Sequence, residues 1–209
     1  MPELYKKAYV TQLLIAVNII IFLIETAAGG SENTAVAIRF GAFYAPYIIE
    51  NGEWYRLFTS MFLHFGPEHI GTNMLSLLAL GPYAERIMGR LSYIIIYIFS
   101  GICGNLLTLL VQLISAQYSL SAGASGAICG LLGVIIFMTL IPRFRKIFPI
   151  KNAGLALLCM IAPSIGDSSI NLYAHVGGVI GGFVLTALMF FIRKIFKAGK
   201  NERQEAFFI

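Results

Sequence analysis

Residues 122–141 read Ala-Gly-Ala-Ser-Gly-Ala-Ile-Cys-Gly-Leu-Leu-Gly-Val-Ile-Ile-Phe-Met-Thr-Leu-Ile, a run without a single charge. A helix that crosses the hydrocarbon core of a bilayer needs about 20 mostly apolar residues, and this run supplies them. Comparable stretches flank it at 9–27, 57–79 and 91–115 on one side and at 150–166 and 172–196 on the other. The chain of 209 residues is 58% hydrophobic and only 12% charged, with a mean hydropathy of +0.80. A soluble domain carries about a quarter charged residues. The expected fold class is therefore all-α, a polytopic membrane protein of six transmembrane helices. The fifth stretch is short and carries Pro163, so an irregular outer end is expected there.

The charges orient these spans. With the N-terminus inside, the inner segments hold Lys6, Lys7, Arg86, Arg90, Arg143, Arg145, Lys146, Lys151, Arg193, Lys194, Lys197, Lys200 and Arg203, which is 13 of the 15 basic residues. The outer segments hold only Arg39 and Arg56. Basic residues gather on the cytoplasmic side, so an N-in, C-in arrangement is expected. The net charge of +5 is spread in short clusters between apolar runs, which reads as membrane orientation and gives no groove for nucleic acid. Cys103, Cys129 and Cys159 lie inside apolar stretches without Cys-x-x-Cys spacing, so they are read as small hydrophobes. Residues 1–8 are expected to form a short cytoplasmic N-terminus, 9–196 the helical domain and 197–209 a polar cytoplasmic tail. The first apolar run lacks a small-residue cleavage site and reads as a retained span. The long outer segment 28–56 mixes Arg39, Tyr44, Tyr47, Ile48, Ile49 and Trp54, a blend that suits the membrane interface.

This topology makes a prediction about depth. The second, fourth and sixth spans all enter from outside. Ser125 falls about four residues into the fourth segment and His175 about four into the sixth, each on the order of 5–8 Å below its start. His64, His69 and Asn73 enter from the same side on the second span, with His69 and Asn73 four apart on one face. Polar groups at such depth are costly unless paired or facing a wet cavity, which marks them as functional candidates. Glycines on both sides of Ser125, at Gly123 and Gly126, allow unusual dihedrals beside it and suit an oxyanion hole. Ser125 would attack a carbonyl, His175 would take its proton, and Asn73 or His69 would donate to the oxyanion. The only aspartate, Asp167, is expected in the outer loop before the sixth span, so a Ser–His dyad is expected rather than a triad. Ala122, Gly126 and Gly130 on the fourth span, and Gly178 and Gly182 with Gly177 and Gly181 on the sixth, form small-x-x-x-small faces that permit close helix approach. His64 is expected to be structural, bonding the loop above it. Arg56 and Glu85 are expected to organise loops.

Taken together, His64-x4-His69-x3-Asn73, Gly123-x-Ser125-Gly126 and Ala174-His175-x2-Gly178-x3-Gly182 resemble the rhomboid family of intramembrane serine proteases. The long first outer loop and Glu85-x3-Gly89 also match, and the resemblance covers about residues 9–196. It implies Ser125 as nucleophile, His175 as general base, and His69, Asn73 and the Ser125 backbone N–H as oxyanion ligands, with Gly123 shaping the turn. It implies transmembrane substrates cut near the outer membrane face, no cofactor and no metal, and a compact six-span form of bacterial plasma-membrane type with the site opening to the extracellular side. Two positions depart from the family pattern. The first loop reads Trp54-Tyr55-Arg56 where a Trp-Arg pair is common, and Cys129 stands where an aromatic often packs under the histidine.

Other readings fit less well. A zinc protease would want His-Glu-x-x-His, and no second histidine follows Glu68-His69 in register. An aspartyl protease needs two aspartates. A transporter or metal binder using His64, His69 and His175 would want buried acidic groups and repeat-related broken helices. A non-catalytic helix-binding relative would be expected to lack the serine or the histidine. The substrate path is expected beside the fifth span and the outer loop near Pro163 to Ser169.

Overall fold

A computed structural model describes residues 4–5, 7–142, 144, 148–162, 165 and 170–205, with side chains as far as Phe196. Among these residues the regular structure is helical. The elements are α1 (Tyr9–Ala27), α2 (Thr34–Arg39), α3 (Ala45–Glu50), α4 (Arg56–Thr59) leading into a 3-10 turn (Ser60–Phe62), α5 (Gly66–Met88), α6 (Arg90–Ser115), α7 (Ser125–Thr139), α8 (Ile150–Ile161) and α9 (Leu172–Glu205). One isolated antiparallel bridge joins Phe43 to Ser121. Three helices are long and apolar enough to cross a membrane: α1, α6 and the Leu172–Phe196 part of α9. Two more, α7 and α8, are apolar but shorter. The 23-residue α5 is long enough at about 34 Å, but it carries Glu68, His69, Asn73, Glu85 and Arg86 among its apolar residues. Large apolar side chains point outward along the bundle, among them Leu13 and Ile20 on α1, Leu75 on α5, Leu110 on α6 and Leu188 on α9. An aqueous surface does not carry so much apolar area. Lipid covers it, and the molecule is a helical membrane bundle.

The core sits on α7, which is buried along nearly its whole length. At 15 residues it measures about 22 Å, less than the hydrocarbon thickness. The non-helical residues 116–124 precede it, and such backbone is tolerated at depth only where protein satisfies it. That happens here. Ser121 and Phe43 exchange backbone hydrogen bonds at 2.8 and 3.0 Å, Gly123 N–H donates to the Ser60 carbonyl at 2.9 Å, and Gln112 Nε2 donates to the Ser119 hydroxyl at 2.9 Å.

Three segments differ from the sequence expectation. The second span, expected at 57–79, is a helix from Gly66 to Met88. The apolar stretch Leu57–Leu63 folds instead into α4 and the 3-10 turn and packs on protein. The chain then turns at Gly66, whose φ of +83° is the left-handed region glycine accepts, and Pro67 opens the helix. The expected sixth span, α9, runs into the expected tail as far as Glu205, because Lys, Ala, Arg, Gln and Glu are good helix formers. The fifth helix is described to Ile161. Pro163, Asp167 and the rest of the expected gate loop except Ile165 lie outside the described residues, as do Lys6, Arg143, Arg145, Lys146 and 206–209.

Arg56 ties several parts of segment 28–56 together. Arg56, 3% exposed, donates to the carbonyls of Ile38 and Ala42 at 2.9 Å each and to Glu53 at 2.6 Å, and lies over the Tyr47 ring. The Arg56 hydrogen bond holds the Glu53 carboxyl below the usual carboxylate range. Phe43, Ala45, Ile48, Leu57 and Leu109 form a small core that fastens this segment to α6. The far end is tied by Glu85, whose carboxylate accepts from the backbone N–H groups of Val10 and Thr11 and from the Thr11 hydroxyl. The two amides belong to the first turn of α1 and lack intrahelical partners.

Candidate active site

Glycine allows α9 to lie in backbone contact with two neighbours. A Cβ on Gly178 would strike the Gly126 carbonyl of α7, and one on Gly182 would strike that of Gly130. On the other flank, a Cβ on Gly177 would come within 2.8 Å of the Cys103 carbonyl of α6, and one on Gly104 would meet the Ala174 carbonyl. The small-residue faces of α7 and α9 therefore meet as their spacing suggests, except that Ala122 lies before α7 and takes no part in its face. Gly101 and Gly104 of α6 complete the arrangement.

This packing brings two polar side chains together. His175 Nε2 lies 2.8 Å from Ser125 Oγ. The histidine is the fourth residue of α9 and is 6% exposed. Ser125 is the first residue of α7 rather than the fourth, so it reaches this depth through the preceding loop. Its N–H belongs to the helix's first turn, whose amides have no intrahelical acceptor.

A second pair of groups faces the same loop. Gly123 has φ +135°, and a Cβ there would sit 2.8 Å from His69 Nε2 and 3.6 Å from Asn73 Nδ2. His69 Nδ1 accepts the Phe65 backbone N–H at 3.3 Å. A neutral ring that accepts at Nδ1 carries its proton on Nε2, so His69 presents an N–H toward Gly123. Asn73 Nδ2 is buried and makes no hydrogen bond among the described residues. Two donors thus converge on the serine loop, an arrangement suited to developing negative charge.

The remaining residues fall around this centre or away from it. The His64 ring is fully buried edge-on to His69, with centroids 5.2 Å apart. Its ring nitrogens are buried, with the Phe62 backbone of the preceding turn as their polar neighbour. Its backbone N–H donates to Glu25. Cys129 is wholly buried, four residues past Ser125. Arg56 acts at one remove: α4 leads to Ser60, whose carbonyl holds Gly123 and whose hydroxyl accepts from Asn105. Glu85 is not beside the site. It lies 16 residues after His69 on α5, about 24 Å along the axis, where it anchors α1.

Asn171 escaped the sequence reading. Its Oδ1 accepts from Ala174 N–H and from the Thr108 hydroxyl, and its Nδ2 donates to Ser121. One side chain thus caps α9 just before His175 and ties it to the loop bearing Ser125. An asparagine directly ahead of an apolar helix is a capping signal that was present in the sequence. Among the described residues no group of three or more His, Cys, Asp and Glu side chains converges as metal ligands would.

Residues 51–191 match the family described as Rhomboid domain. The chain is 36% identical over 183 residues to the rhomboid protease GluP of Bacillus subtilis (strain 168), covering 86% of this chain and 34% of that protein. It is 36% identical over 144 residues to the putative rhomboid protease YdcA of the same organism, covering 67% of this chain and 69% of the relative. RHOMBOID-like protein 1 of Arabidopsis thaliana is 34% identical over 159 residues, 74% of this chain and 39% of that protein. The chain thus spans about a third of the length of GluP and about two thirds of YdcA.

Proposed function

We propose, from the premise that this chain belongs to the rhomboid family, that it is an intramembrane serine endopeptidase. The observation that carries this reading is the 2.8 Å contact between Ser125 Oγ and His175 Nε2, beside the donors of His69 and Asn73. Ser125 Oγ attacks the scissile carbonyl carbon while His175 Nε2 takes its proton. The His69 Nε2–H, the Asn73 amide and the Ser125 backbone N–H receive the oxyanion. The tetrahedral centre collapses, the C–N bond breaks, and His175 protonates the departing amine. Water then attacks the acyl ester with His175 again as base, restoring Ser125. The pair works as a dyad.

In this reading the chain has six spans with both ends of residues 9–196 on the cytoplasmic side. The chemistry lies toward the extracellular face of a bacterial plasma membrane, an orientation supported by the 13-to-2 bias of basic residues. Substrates are transmembrane proteins cut near that face. A helical peptide bond is already hydrogen-bonded and must unwind before attack, so segments with Gly or Pro and a small residue at the cut are preferred. The path in runs beside α8, where Ala153 is the one buried residue among those described. Cross-linking α5 to α8 without loss of cleavage would refute that path.

The test is cleavage of a transmembrane reporter in proteoliposomes by wild type, Ser125→Ala and His175→Ala, with and without a chelator. Both variants are expected to be inactive to a similar degree, because paired residues act as a unit. Full cleavage by Ser125→Ala overturns the assignment, and loss of wild-type activity to the chelator points to metal chemistry.

A further inference from the structure

At the end of the bundle away from Ser125, a cavity of about 410 Å³ opens between the start of α1 and the α5–α6 turn. Among the described residues its lining holds three cations, Lys7, Arg86 and Arg90, and one carboxylate, Glu85. That carboxylate already receives three hydrogen bonds from Val10 and Thr11, so its charge is engaged with the start of α1. Gly89 also lines the cavity and is the N-cap of α6. It provides no side-chain cap, and no acidic residue occupies the first turn. The positive end of a 26-residue helix therefore adds to the field of the three cations. A Cβ on Gly89 would meet nothing within 4 Å, so the space at the turn is open.

The walls say what kind of anion fits. Arg90 lies 4.7 Å over the Tyr9 ring, and Tyr9 itself is 55% exposed. Leu13 continues the outward face of α1 four residues on, and Leu78 and Leu75 are exposed further along α5, while Pro82 between them and the turn is buried. A soluble phosphate needs only the cations. A phospholipid needs the cations and an exposed apolar face beside them, which Tyr9 and Leu13 of α1 supply next to Arg90.

We infer that the cavity between the α1 start and the α5–α6 turn is a binding site for the phosphate of an anionic phospholipid, held by Arg86, Arg90 and Lys7 with its acyl chains along the exposed faces of α1 and α5. Basic pockets between transmembrane helices on the cytoplasmic side bind such headgroups. The cavity lies at the opposite end of the molecule from Ser125; its cytoplasmic placement rests on the proposed orientation, but not on the proposed chemistry.

The experiment is native mass spectrometry of the full chain released from detergent. Phosphatidylglycerol and phosphatidylcholine of identical acyl chains are supplied in turn, with inorganic phosphate as a third arm. Wild type is expected to retain one phosphatidylglycerol at least tenfold better than phosphatidylcholine. Each cation removed weakens retention about fivefold, so Arg86→Gln with Arg90→Gln lowers it about 25-fold. That double variant leaves 11 inner basic residues against 2 outer ones, which preserves the charge bias. Its thermal midpoint in phosphatidylcholine reports folding. If it fails to fold, Lys7→Gln and the charge-keeping pair Arg86→Lys with Arg90→Lys decide, the first weakened and the second unchanged. Equal retention of the two lipids, or undiminished phosphatidylglycerol on the folded double variant, overturns the site. Displacement of the lipid by millimolar inorganic phosphate overturns the lipid assignment in favour of a free anion.

Discussion

Replacing Gly178 by alanine tests how closely α7 and α9 must approach for the proposed chemistry. The added Cβ would lie 2.9 Å from the Gly126 carbonyl carbon and closer still to its oxygen, where ordinary contact begins at 3.4 Å. Neither partner is a flexible side-chain end, so the helices must part by about 1 Å. Gly178 lies three residues beyond His175 on the same helix. A 1 Å retreat would stretch the Ser125–His175 contact from 2.8 Å to about 3.8 Å, outside hydrogen-bonding reach. Misplacement of that size costs about 100-fold in rate, and the overpacking costs about 1–3 kcal/mol of stability. Gly126→Ala is the matched control. Its Cβ would lie 3.2 Å from the Ala174 carbonyl oxygen and 3.7 Å from the next atoms, which a few tenths of an ångström relieve, so activity should stay within about tenfold of wild type. Initial cleavage rates in proteoliposomes, with thermal unfolding of the same samples, read both effects. Near wild-type cleavage by Gly178→Ala, or a slower Gly126→Ala, would show that the approach of α7 and α9 does not set the rate.

Asn73→Ala removes one of the two side-chain donors near Gly123 and should lower kcat about 100- to 1,000-fold with little change in KM; a rate within threefold of wild type would exclude it from oxyanion binding. Asn171→Ala loses the cap of α9 and should cost about 1–2 kcal/mol together with activity. Asn171→Asp keeps the acceptor for Ala174 but loses the donor to Ser121, so the thermal midpoint should recover while the rate does not. Glu85→Ala leaves the Val10 and Thr11 amides without their acceptor and should destabilise by about 1–3 kcal/mol. Its rate per folded molecule should be unchanged, since the site is about 24 Å distant along α5; a specific loss of rate at equal folding would contradict that.

Much of this arrangement was legible because a membrane simplifies the code. Apolar length placed α1 at its observed limits, 9–27, and α6 within a residue of 91–115. Glycine spacing on α7 and α9 marked the faces that meet. Hydropathy failed where apolar residues face protein rather than lipid. Leu57–Leu63 is as apolar as a span, yet it folds into short turns under the Arg56-centred loop, and the Gly66-Pro67 break was the better guide to where α5 begins. Ser125 does stand level with His175, but a protein-satisfied loop brings it there rather than a first helical turn. The roles of Asn171, Asn105 and Ser60 depend on contacts 45 to 63 residues apart, which one sequence does not disclose. The apolar-to-basic transition near 197 suggested a tail, but helix propensity carries α9 on to Glu205.

The central claim is that His175 activates Ser125. A fluorophosphonate reacts at appreciable rate only with a serine whose proton is taken as it attacks. Peptide mapping after exposure of the full chain in liposomes should find one adduct, on Ser125, and none on that residue in His175→Ala of unchanged thermal stability. Equal labelling of the two proteins, or a cleaving enzyme labelled at any serine other than Ser125, would contradict it.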